Sequence, residues 1–226
     1  MEVQHLRFEE GRDYGYSTLS TDVWSFGSIV KSSLIGRGAT DFDVFFSRFY
    51  SQWSRYQKWI LSQNVATFLG LTPSSNFRRF PAWATALPWH STSARANTFL
   101  IPKATRRQRR NQGFPLPRLL HGKGLIEFDA QASARIHATQ FWRLHQSISV
   151  NGFDSSLNDL DPLTAQVLRA GDLTVWVPFS GFHRTVIGSV LGLESLPFLV
   201  RSIITDSGVS DWPNVRNGGY SEPEAL

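Results

Sequence analysis

Residues 173–201 read LTVWVPFSGFHRTVIGSVLGLESLPFLVR, and the order of local signals in this stretch decides the fold. Leu173 to Val177 is a short β-rich apolar run and reads as a strand. Pro178 to Gly181 reads as a turn, His183 to Leu193 has helical composition despite Gly188, and Leu196 to Ile204 reads as a second strand. Upstream, Asp129 is placed to cap a helix that runs through Ile136, Phe141, Leu144 and Ile148 and stops at Asn151-Gly152. Asp161-Pro162 is expected to open another helix, with proline in its first turn and Gly171 past its end. Helix, helix, strand, glycine turn, helix, strand is the order of a small α/β unit.

The N-terminal half has a different character. Residues 41–69 read as a helix or helix pair, since Phe42, Phe45, Phe46, Phe49, Trp53, Tyr56, Ile60 and Leu61 recur at three- and four-residue spacing, with Asp41 or Asp43 as cap. Such an aromatic stripe is ordinarily core. Gly70-Leu71-Thr72-Pro73 is a stop, and Pro81, Pro88 and Pro102 break the chain beyond it into short pieces. Pro115, Pro117, Gly122 and Gly124 mark the boundary. The expected division is a helical or irregular basic region over 1–124 and an α/β or α+β domain over 125–226.

Charge is unevenly spread along the 226 residues. Residues 1–43 hold four basic and seven acidic side chains, residues 44–126 thirteen basic and none acidic, and residues 127–226 six basic and eleven acidic. A basic run of this length sets up a positive field reaching about 10 Å at physiological salt. Nucleic acid is one partner that fits it, with Lys103, Arg106, Arg107, Arg109 and Arg110 on phosphates and interleaved aromatics for stacking. Acidic segments packing on the basic one, or a solvated helix face, account for the same pattern.

Several chemistries are excluded outright. With no cysteine there is no disulfide, thiolate metal site or thiol redox step. No Walker A loop, Rossmann glycine fingerprint or nucleophile elbow is present. His137 and His145 stand eight residues apart on one helix, too far to share a metal, so with His121 they read as isolated surface or cap residues and no metal site is expected. Asp154, Asp159 and Asp161 read as loop caps, with Mg²⁺ held between a carboxylate and a bound nucleotide as the alternative. The N-terminus carries no secretory pattern, and the most apolar stretch, 186–204, is broken by Glu194, Pro197 and Arg201, so a cytoplasmic protein without a membrane span is expected.

One motif carries a mechanism. In Phe179-Ser180-Gly181-Phe182-His183-Arg184 a glycine joins strand to helix, which lets backbone N–H groups approach an anion at the positive end of the helix dipole. His183 and Arg184 add donors suited to phosphate. The same turn also serves ordinary packing, and both readings stand at the level of residue chemistry.

The run Gly181-Phe182-His183-Arg184, then Leu191-Gly192-Leu193 and Leu196-Pro197-Phe198-Leu199-Val200-Arg201, resembles the core of the ParB/sulfiredoxin-like superfamily. Ser147 to Phe153 resembles the helix end before that family's first pocket strand, and Asp211 to Tyr220 resembles a tail of bacterial ParB-like proteins, with Leu87-Pro88-Trp89 and Arg106 to Asn111 in the same architecture. The resemblance covers about residues 125–205. It implies a small mixed domain that binds nucleotide phosphates at the turn: CTP with DNA as partner in the ParB branch and ATP with a peroxiredoxin in the sulfiredoxin branch, while a further branch phosphorylates serine. Carried over residue by residue, Gly181, His183 and Arg184 are the implied phosphate contacts, Gly152 belongs to the pocket wall, and ATP or CTP with Mg²⁺ is the implied cofactor set.

Phe182 departs from the family. It stands where sulfiredoxins have their reactive cysteine and ParB-like proteins often have glutamate, so sulfinic-acid repair is excluded and no catalytic residue is assigned. An ATP-dependent phosphotransferase or a nucleotide hydrolase is the enzymatic version of this reading. A non-catalytic interaction protein that retains the fold is the version without turnover. The downstream helix-turn-helix of ParB proteins has no counterpart before Leu226, and Ser221 to Leu226 reads like the start of a helix that continues in a longer natural chain.

Overall fold

A computed structural model describes residues 2–12, 26–35, 41–71, 76–100, 130–153 and 162–225. In chain order these form β1 (Val3–Arg7), α1 (Phe26–Ile35), α2 (Phe42–Ser62), α3 (Val65–Leu69), α4 (Ala130–Asn151), β2 (Thr164–Ala170), β3 (Leu173–Ser180), α5 (Phe182–Val190), β4 (Ser195–Thr205), α6 (Pro213–Arg216) and α7 (Glu222–Ala225). Short 3-10 turns and a helical stretch at 94–100 complete them. Two compact units result, Met1–Tyr56 with Asp129–Ile203 and Gln57–Phe128 with Ile204–Leu226. This grouping differs from the expected cut at 124/125, because β1 and the aromatic helices pack with the elements beyond residue 129.

In the first unit a four-stranded mixed sheet has the order β1-β4-β2-β3. β1 runs antiparallel to β4, with Leu6 opposite Leu196, and β2 antiparallel to β3, with Val167 opposite Trp176. The Leu199 N–H donates to the Leu163 carbonyl at 2.8 Å, and the Gln166 amide to the Ser202 hydroxyl at 3.2 Å; the constant offset makes β2 and β4 parallel. The N-terminal segment also reaches the far edge, where the Arg12 N–H donates to the Trp176 carbonyl and the Trp176 indole donates to the Arg7 carbonyl at 2.7 Å. Leu6, Phe8, Leu163, Ala165, Val167, Trp176, Leu196, Phe198 and Val200 form the buried face.

Residues 164–170 correct the helix expected after Asp161-Pro162. Ala165 and Val167 alternate inward with period two, and Gly171-Asp172 closes a two-residue hairpin to Leu173. Pairing with β3 overrides a composition that tolerates helix. β3 likewise runs on through Pro178 to Ser180, with the proline on the edge strand beside a register shift in β2 at Thr164/Ala165.

The helices of this unit form an aromatic layer. The Phe26 ring lies 4.9 Å from Phe182, 5.5 Å from Trp53 and 6.3 Å from Phe141, and Phe49 lies 5.9 Å from Phe141. Phe45, Phe46, Phe49, Trp53 and Tyr56 of the stripe read over Phe42 to Leu61 belong to this core, whereas Leu61 is 55% exposed, and Asp41 accepts from the Val44 N–H as the helix cap. Gly188 allows α5 to approach the sheet: a β-carbon there would stand 3.0 Å from both Leu196 and Phe8.

In the second unit α3 is capped by Asn64, which accepts from the Thr67 N–H. Asn214 is buried, and its side-chain amide donates to the carbonyls of Leu87, His90 and Thr92. The Tyr220 hydroxyl donates to Ala86, and Trp212 meets Trp89 at 5.4 Å, so the Leu87-Pro88-Trp89 and Asp211-to-Tyr220 motifs pack together. Among the described residues no helix is long and apolar enough to cross a membrane.

Candidate functional site

Ser180 ends β3 with its hydroxyl donating to the Pro162 carbonyl at 2.8 Å and accepting from Thr164 at 2.9 Å. The next residue, Gly181, sits at φ 78° as the N-cap of α5 and contributes no side-chain cap. Its carbonyl accepts from the Thr185 N–H at 3.0 Å and from the Thr185 hydroxyl at 3.1 Å. A β-carbon at Gly181 would run into the buried Leu163 side chain and stand 3.3 Å from Nη2 of Arg184. Glycine is therefore required both by the left-handed backbone and by the space. The same distance shows that the Arg184 guanidinium folds back over the turn. A first helical turn has no intrahelical acceptor for its N–H groups, and the helix dipole concentrates positive potential there. With a guanidinium above it, this turn has the donor chemistry of a phosphate cradle.

Phe182 points the other way. It is 5% exposed and stands edge-on to Phe26, so the position at which the resemblance implies cysteine or glutamate is a core anchor. His183 is half-buried, and its Nε2 lies 2.8 Å from Nδ1 of His137 on α4, 46 residues away in sequence. The ring of Trp53 lies 5.2 Å from that of His137, and Phe141 lies 4.7 Å from His183. His137 is the residue that sequence reasoning missed, and the expectation of an isolated histidine is corrected. The one sequence signal for it was its place beside Ala134, Ala138 and Phe141, the buried face of α4.

Gly152 caps α4, with its N–H donating to the Ile148 carbonyl at 2.9 Å. It stands fifteen residues past His137, roughly 22 Å of helix. Lys103, Arg106, Arg107, Arg109, Arg110, Asp129, Asp154, Asp159 and Asp161 lie outside the described residues. Among the described residues no three His, Asp or Glu side chains gather as a metal site.

His145, two turns along α4 from His137, has its Nδ1 buried without a hydrogen-bond partner. Burial holds its pKa below the ordinary imidazole value of 6.5. The unfolded chain therefore takes up this proton first as the pH falls, and the stability carried by the neutral imidazole is complete above about 6.5 and declines below it. The thermal midpoint is expected to drop between pH 7.5 and pH 5, and to drop less in His145→Leu. An equal drop in the variant would remove His145 as a cause.

Comparison of the chain with family models, curated proteins and solved structures finds no match in any of the three.

Proposed function

We propose that the protein binds a nucleoside triphosphate, or another phosphorylated ligand, at the N-terminus of α5. The observation that carries this reading is the Gly181 turn: a left-handed glycine at the start of a helix whose β-carbon would collide, with the Arg184 guanidinium folded over it. Backbone N–H groups of the first turn approach the phosphate oxygens, Arg184 binds two of them at once, and His183 stands beside it. The resemblance to the ParB/sulfiredoxin-like superfamily supports ATP or CTP as the ligand. Mg²⁺ bound with the nucleotide would offset phosphate charge, and no described residue is assigned to hold it. Phe182 offers no base, so the geometry supports binding and assigns no catalytic residue.

Titration calorimetry with ATP, CTP and GTP, each with Mg²⁺, tests this in the wild type and in Arg184→Ala. Saturable binding of one nucleotide is expected, weakened at least tenfold by loss of the charge-assisted bonds. A folded wild type that binds none of the three refutes the nucleotide reading. The burial of Phe182 favours a second reading, in which the fold serves as an interaction module without a ligand, and that outcome would support it.

A further inference from the structure

Phe179 is the residue that the β2–β3 pairing leaves out of register. Thr164 of β2 stands opposite Ser180 and Ala165 opposite Pro178, so Phe179 between them has no partner across the pair. A bulge of this kind re-aims one side chain, and bulges gather beside functional sites. Here it turns a phenylalanine outward: Trp176 and Pro178 are buried, while Phe179 is 50% exposed. The guanidinium of Arg201 on β4 reaches across β2 and stacks on the ring, its carbon 4.4 Å from the ring centroid. One face of the ring is thereby held in a cation–π contact, and the surface left open is the opposite face and the rim.

The place of this ring beside the turn gives it a use. Phe179 precedes Gly181 by two residues, about 7 Å of strand. A phosphorylated ligand held at the start of α5 cannot extend toward the core, because the fully buried Leu163 closes the Gly181 β-carbon position and Phe182 is 5% exposed, edge-on to Phe26. Ser180 turns its hydroxyl to the Pro162 carbonyl, so the first side chain that β3 presents outward from the turn is Phe179. The four strands contain Arg7, Arg169 and Arg201 and no Asp or Glu, so no carboxylate on the sheet opposes a phosphate chain that passes over it. An exposed ring backed by a guanidinium offers a flat π-surface, and a nucleobase meets it with a π-face of matching size.

We infer that Phe179, with Arg201 stacked behind it, is the platform on which the base of a bound nucleotide lies. The inference rests on the phosphate reading above and adds to it a subsite for the nucleoside. Stacking reads the π-face and leaves the base edge unread, so this subsite separates nucleotides from bare phosphates without choosing among bases.

Titration calorimetry on the full chain tests this with ATP, CTP, GTP and inorganic tripolyphosphate, each with Mg²⁺, in the wild type, Phe179→Leu and Phe179→Trp. Phe179→Leu is expected to weaken every nucleotide that binds by about tenfold and to leave tripolyphosphate within about twofold of the wild type. Phe179→Trp should bind nucleotides at least as tightly as the wild type. Tripolyphosphate binding in each variant reports that its turn is intact. Nucleotide affinity unchanged in Phe179→Leu but weakened in Arg184→Ala would overturn the platform and leave the phosphate site standing, as would a wild type that binds tripolyphosphate and no nucleotide. Equal loss of nucleotide and tripolyphosphate in Phe179→Leu would show that the ring acts through the turn and not on the base, and would also overturn the platform. A folded wild type that binds neither refutes the phosphate reading, and the platform with it.

Discussion

Phe26→Ala is expected to destabilise the first unit by about 3–5 kcal/mol, the cost of removing a large buried aromatic and leaving a cavity that its neighbours fill only in part. Phe26 is 2% exposed and touches aromatic rings from three other helices: Trp53 and Tyr56 on α2, Phe141 on α4 and Phe182 on α5. Those rings come from widely separated parts of the sequence, so the void opens where α1, α2, α4 and α5 meet. Urea unfolding followed by tryptophan fluorescence measures the change. A loss below about 1 kcal/mol would mean that these helices do not pack through Phe26.

Gly181→Ala should cost about 2–4 kcal/mol, through left-handed backbone strain and collision with a fully buried leucine. Leu163 has 0% exposure and belongs to the sheet's core, so it has little room to withdraw. Gly152→Ala is the control. Its φ of 74° is nearly that of Gly181, yet nothing lies within 4 Å of its β-carbon position, so only the backbone term of about 1 kcal/mol applies. Circular dichroism melts of the two variants separate the terms. Equal costs would show that Leu163 yields freely and that the turn is less tightly enclosed than described.

Some of this was legible in the sequence. The stripe from Phe42 to Ile60 fixed α2 by its spacing, because one face of a long helix must be apolar to pack. Leu173 to Val177 and Leu196 to Ile204 announced β3 and β4, and of the turn read over Pro178 to Gly181 only Gly181 lies outside the strand, between β3 and α5. β2 was misread because Pro162 and Gly171 mark the ends of a helix as readily as the ends of a strand. The partner strand decides between them, and a two-residue Gly-Asp turn was the signal that pointed to it. β1 passed unnoticed because five residues with a single buried side chain, Leu6, carry little pattern. The His137 to His183 contact was out of reach in principle: local spacing says which face of a helix a residue occupies and nothing about what a segment 46 residues away will place against it.

Amide NMR of the wild-type chain titrated with ATP, CTP and GTP in the presence of Mg²⁺ tests whether phosphate binds at the start of α5. A phosphate held at the start of α5 should shift the N–H resonances of Phe182, His183, Arg184 and Thr185 most strongly, with smaller movements at Leu163 and His137. Saturable shifts centred elsewhere, or none at this turn, would contradict the assignment.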